Sequence, residues 1–155
     1  MIAKSKEVIE ELGKDLLDVV TEIDKVRDQL YNGKQWTPAS GEIMSQAIVK
    51  LSALNAYLGE WVATAKYDAA QMEATYKVSR EAIKLESMNE RKTTASEAES
   101  TKIVETSSLL ESYNKADYQF NLLKNKREDT SEFIEALKTR LIHMQVQQKE
   151  SRNAT

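Results

Sequence analysis

The chain's reactive side chains are few. One histidine (His143), no cysteine and 25 Asp and Glu residues make up the stock from which a catalytic or metal site would have to be built. A nucleophile, its base and an oxyanion donor must converge, and no Gly-rich phosphate loop or P-loop is written anywhere in the chain. His143 has Arg140 three positions before it, so the Glu-x-x-His unit of a di-iron bundle is missing. Close to the end of the last apolar repeat, His143 reads as a solvated residue or one that pairs with a helix C-terminal dipole. The carboxylates recur at helix-surface spacing and read as a solvating face. No catalysis, no metal and no cofactor is expected.

Positive charge, by contrast, is patterned. Lys66, Lys77, Arg80, Lys84 and Arg91 fall within an arc of roughly 60° when placed at about 100° per residue, and Lys92 adjoins the last of them. Such a row can track a phosphate backbone. Glu73 lies four residues before Lys77 and Glu81 three before Lys84, which offers those two lysines partners on their own helix. Arg80 and Arg91 have no acidic residue three or four positions away, which leaves them for an external anion or for another helix. With a net charge of −3, any nucleic-acid surface has to be local. Bases of a single strand also stack on aromatic rings. Tyr57, Trp61 and Tyr76 lie in or near an apolar seam and are expected in the core, whereas Tyr67, Tyr118 and Trp36 are expected to be exposed.

These side chains have to be carried by helices. Val8, Leu12, Leu16, Val19, Ile23, Val26 and Leu30 step by threes and fours, one face of a helix over 5–32. Asn32-Gly33 ends it, and 33–37 is a link. Thr37 can cap a second helix with Pro38 at its first position, where the missing N–H costs nothing. Its seam runs Ala47, Leu51, Leu54, Leu58, Trp61, Ala65, Ala69, Met72, Tyr76 to Ile83, and it is expected to span 38–87, a rod of roughly 70 Å. Gly59 within it marks a close approach of another helix, or else an unoffset cost of about 1 kcal/mol. Residues 88–95 are polar and without period, and both Thr94-x-x-Glu97 and Ser96-x-x-Glu99 match a capping box. A third helix over 96–146 holds the seam Leu109, Tyr113, Ala116, Phe120, Leu123, Arg127, Thr130, Ile134, Leu137, Leu141 and Met144, alternating by 4 and 3. Arg127 and Thr130 interrupt it as register-setting polar positions or where helices splay. Residues 147–155 are expected to fray.

Composition points the same way. Of 155 residues, 41% are hydrophobic and 30% charged, with four Gly and one Pro, so a thin core and long helices are expected rather than a sheet. The resulting fold class is all-α: a short N-terminal helix and two long helices in an antiparallel hairpin, read as a single helical domain over 1–155. Seams this long with so few large residues suggest closure by another subunit, a homo-oligomer joined through Leu109, Tyr113, Phe120, Leu123, Ile134, Leu137, Leu141 and Met144. An internal three-helix bundle is the alternative. The absence of cysteine and of any long apolar run leads to the expectation of a cytoplasmic protein that does not enter a membrane.

The order Tyr57-x-x-x-Trp61, a basic helix reaching Lys84-Leu85, a polar link with Lys92 and Ser96-Glu97, and a helix closing on Ala136-Leu137-Lys138-Thr139-Arg140 resembles the UvsY-type recombination mediators of tailed phages. The likeness extends over roughly residues 51–144 and lies in layout. The chain is less basic than that family and differs in its N-terminal segment. The resemblance implies a small helical oligomer that binds single-stranded DNA and loads a recombinase onto strands coated by single-strand-binding protein. It implies DNA contacts at Lys77, Arg80, Lys84, Arg91 and Lys92. A structural or adaptor coiled coil, in a virion, scaffold or spacer, is the competing expectation.

Overall fold

The computed structural model describes residues 2–90 and 94–153. The fold is all-α, 91% helical and without strands among the described residues. Among the described residues five helices follow one another: α1 (Ile2–Leu12), α2 (Lys14–Leu30), α3 (Gly41–Glu90), α4 (Ala95–Glu105) and α5 (Ser107–Asn153). They form two compact units, Met1–Trp61 with Leu123–Thr155, and Val62–Leu122.

In the first unit, Leu16, Val20, Ile23, Val26 and Leu30 of α2 are buried with Met44, Leu51 and Leu58 of α3 and with Leu123, Phe133, Ile134 and Leu137 of α5. The helix expected over 5–32 is broken at Gly13. Its φ of +154° is open to glycine and strained for other residues, and a Cβ there would lie 3.4 Å from Cη2 of Trp61. The Gly13 amide still donates to the Ile9 carbonyl, and the Leu17 amide to the Gly13 carbonyl, so the chain turns at this point without losing those bonds. Val8, Leu12 and Val19 of the expected seam end up half-buried at its border.

After Leu30 the chain reverses in a loop pinned by Asn32, whose side-chain oxygen accepts from the amides of Lys34 (3.1 Å) and Gln35 (2.9 Å). Gly33 takes φ +84° and Tyr31 bridges to Trp36. The Thr37 amide donates to the Leu30 carbonyl, which holds Thr37 in the loop and away from a capping role. Ser40 supplies the cap instead, its hydroxyl accepting from the Ile43 amide at 3.2 Å, so α3 starts at Gly41 and not at Pro38. Trp36 is stacked on Phe133 at 5.4 Å with Arg140 5.4 Å from its ring centre, while Arg27 lies over Phe133. The tryptophan expected to be exposed is therefore half-buried, tying the loop to α5.

Gly59 does mark a close approach. A Cβ at this position would stand 3.1–3.3 Å from the Arg127 guanidinium. One turn on, Thr130 is 2% exposed with its hydroxyl donating to the Lys126 carbonyl, so the polar break in the α5 seam lies where helices are packed and not where they splay. Helix α3 runs on to Glu90, three residues past the expected end.

In the second unit Thr94 and Glu97 form the capping box that starts α4: the Glu97 amide donates to the Thr94 hydroxyl and the Thr94 amide to the Glu97 carboxylate at 2.8 Å. This reciprocal bonding holds the Glu97 carboxyl below its ordinary pKa, with the Thr94 backbone amide the main cause. The single helix expected over 96–146 is interrupted at Thr106, 1% exposed, whose hydroxyl bonds back to the Lys102 carbonyl. Back-bonding of this kind bends a helix. At the far end α5 keeps its helix to Asn153 where fraying was expected, since Gln, Lys, Glu and Arg are good helix formers even without an apolar face.

Candidate nucleic-acid interface

Four members of the basic row, Lys66, Lys77, Arg80 and Lys84, lie on α3 within the Val62–Leu122 unit. Its members differ in what they are free to do. Lys66 is exposed and Lys84 half-buried, and neither has an ion pair among the described residues. Lys77 pairs with Glu73 at 2.6 Å, as their spacing of four suggests, yet its side chain stays 68% exposed. The Glu73 hydrogen bond is the main reason the Lys77 amine is held above its ordinary pKa. Arg91 and Lys92 lie outside the described residues.

Arg80 is committed elsewhere. Its guanidinium donates to the Glu99 carboxylate of α4, nineteen residues along the chain, and lies 5.9 Å from the centre of the Tyr76 ring. Of the two uses left open by its lack of local acidic neighbours, the structure shows the interhelical one. Nε of Arg80 is buried without a hydrogen-bond partner among the described residues. Lys102, which sequence reasoning did not single out, completes the arrangement: its side chain is 5% exposed and its ammonium contacts Glu99 and, at 3.3 Å, Glu81. Glu81 thus reaches across to α4 and leaves Lys84 unpaired. Lys102 lies three residues after Glu99, a spacing that offered the one local clue. Contact with Lys102 first, and with Arg80, keeps the Glu99 carboxyl below its usual pKa. Glu99 in turn is the main cause that holds the Lys102 amine and the Arg80 guanidinium in their charged forms. Four charged groups alternating in sign therefore clamp α4 to α3.

The aromatic side chains split in an unexpected way. Tyr67, next to Lys66, is 65% exposed, and Tyr118 is exposed as expected. Tyr57, expected in the core, is also exposed, because the inward positions around it are taken by Leu54, Leu58 and Trp61. Trp61 is half-buried against Gly13, and Tyr76 half-buried under Arg80.

The residues expected to join subunits are largely engaged within the chain. Leu123, Ile134 and Leu137 are buried in the first unit, and Leu141 reaches Gly41, where an added Cβ would meet its Cδ1 at 3.3 Å. Leu109, Tyr113, Phe120 and Met144 are half-buried. His143 is exposed and lines, with Trp36, Thr139 and Arg140, a shallow concavity of about 420 Å³. Among the described residues no group of three His, Asp or Glu side chains is arranged to hold a metal ion, and no helix is long and apolar enough to cross a membrane. No family model, no curated protein and no solved structure matches the chain.

Proposed function

We propose that this chain is a non-catalytic accessory protein of recombination or replication, mediator-like in kind, which binds single-stranded nucleic acid and a recombinase or single-strand-binding partner. The observation that carries this reading is the outer edge of α3: Lys66, Lys77 and Lys84 present ammonium groups over about 27 Å of helix, and two of the three have no internal counter-charge. A row of cations without internal partners binds phosphates and releases their counterions. Arg80 leaves the contact set that the resemblance implies and becomes a positioning residue, holding α4 against the helix that carries the row. Such a protein would act where single strands are exposed, in the cytoplasm of a bacterial or phage-infected cell.

The test is retention on single-stranded DNA as salt is raised. Log affinity should fall linearly with log salt at about −0.7 per phosphate neutralised, and Lys66→Glu, Lys77→Glu and Lys84→Glu together should flatten that slope and weaken binding by more than about tenfold. Absence of binding by the unaltered protein at low salt would remove the reading. A second reading, a structural or adaptor coiled coil, is favoured by a different observation: the Arg80–Glu99 pair shows that part of the row serves helix packing. Under it, strands are not retained and the same three changes leave partner binding intact.

A further inference from the structure

Arg27, Phe133, Trp36 and Arg140, all in the first unit, make a continuous run of contacts. Each guanidinium lies 5.4 Å from the centre of its ring, and the two rings are stacked with centres 5.4 Å apart. Contact with the indole positions the Arg140 guanidinium but satisfies none of its five N–H donors. Arg140 has neither a hydrogen bond nor an ion pair among the described residues, although it is half-buried. It lines the concavity of about 420 Å³ together with Trp36, Ala136, Thr139 and His143, a volume within the roughly 300–1,000 Å³ of small-ligand sites.

The surroundings are positive in a chain that is negative overall. Residues 29–41, which carry Trp36, and 136–149, which carry the rest of the lining, contain none of the 25 Asp and Glu residues, yet they hold Lys34, Lys138, Arg140 and Lys149. Glu135, the acidic residue just before the second stretch, is taken by Lys138 at 2.6 Å. The Thr139 hydroxyl donates to the Glu135 carbonyl at 3.0 Å and is spent as a donor. His143, one turn after Arg140 and exposed, is not spent: an imidazole carries at least one N–H in either charge state. Two donors without protein acceptors thus border one concavity, beside an indole of which Phe133 covers one face.

We propose that this concavity binds a nucleotide, with the phosphate on Arg140 and His143 and the base against the uncovered part of Trp36. A guanidinium fork matches two oxygens of a phosphate, and a cation beside an aromatic ring is the combination that holds unpaired bases. A carboxylate ligand would engage the cations and leave the indole without a role. The site lies in a different unit from the lysine row of α3 and does not depend on it.

The test is a titration of the full chain at low salt, followed by the N–H signals of its two indoles in a nitrogen-15 spectrum. The ligands are oligothymidylate and thymidine 5′-monophosphate, and the Trp36 signal is the one that Trp36→Phe removes. That signal should move while the Trp61 signal stays. A response to the oligomer alone assigns the site to a strand, and a response to both assigns it to nucleotides in general. Arg140→Gln should weaken binding by more than about tenfold, since it removes both the charge and the fork. His143→Glu, at an exposed position, should weaken it without moving the urea midpoint, which keeps the test valid should Arg140→Gln disturb the fold. The chain carrying Lys66→Glu, Lys77→Glu and Lys84→Glu should keep its Trp36 response, so failure of the row and failure of this site are read separately. A Trp36 signal unmoved by either ligand, an affinity unchanged in both Arg140→Gln and His143→Glu, or an equal movement with oligoglutamate would each overturn the proposal.

Discussion

Replacing Leu137 separates a core position from a subunit contact, the two roles that its heptad spacing allows. The side chain is 0% exposed within the single chain, packed in the unit that also holds Leu16, Ile23, Leu51 and Leu123. Leu137→Ala removes three carbons, about 2.4 kcal/mol of transfer free energy at about 0.8 kcal/mol per methylene. The cavity left among rigid helices adds to this, for a total of about 3–4 kcal/mol. With a urea dependence of about 1–3 kcal/mol per molar, the unfolding midpoint should fall by roughly 1–4 M. Both tryptophans of the chain, Trp36 and Trp61, lie in this same unit, so their fluorescence follows its unfolding. Ile142→Ala is the control, because Ile142 is 58% exposed on the same helix and its truncation should cost no more than about 0.5 kcal/mol. Equal midpoint shifts for the two variants would refute the argument. So would a loss of mass in solution for Leu137→Ala without any loss of stability, the behaviour of a residue that joins subunits.

Two glycines should respond to alanine with opposite signs. Gly13→Ala forces a side chain onto φ +154° and should cost about 1–3 kcal/mol. Gly59→Ala meets only the mobile end of Arg127 and gains up to about 1 kcal/mol of helix propensity, so its urea midpoint should hold or rise. Thr94→Ala removes the cap of α4 at a cost of about 1 kcal/mol, seen as faster amide exchange in the first turn of that helix. Stability should also depend on acid. Glu22, Glu97 and Glu99 have folded pKa values lowered from 4.5, so their contribution is complete above that value and is lost as pH falls through the folded values. The urea midpoint should therefore drop below about pH 4.5, less steeply in Glu97→Gln and Glu99→Gln; a midpoint that rises on acidification would contradict the assignment.

Much of the fold was legible because helices are local. Apolar residues three and four apart identify α2, α3 and α5 directly, and the Thr94–Glu97 box starts α4 from four consecutive positions. The breaks at Gly13 and Thr106 were harder to see. Gly13 falls inside an unbroken apolar period, and it is Trp61, 48 residues further along, that packs against the turn. Thr106 bonds to its own preceding turn, which a threonine in a straight helix also can do.

The basic row divides along the same line. Its arc on α3 follows from spacing alone, and so does the Glu73–Lys77 pair, since both are properties of one helix. The partners of Arg80 and Glu81 are not, because they come from α4. A period of 3.6 states which residues share a face, but not which residues of another helix stand opposite. That register depends on how helices remote in the chain pack, and Ala65, Ala69, Ser87 and Ala98, buried in the Val62–Leu122 unit, are small. The sequence by itself thus determined the helices and the faces they present. Only the tertiary structure decided which charges were consumed in holding helices together and which were left for another molecule, because that choice depends on distances between segments remote in the chain.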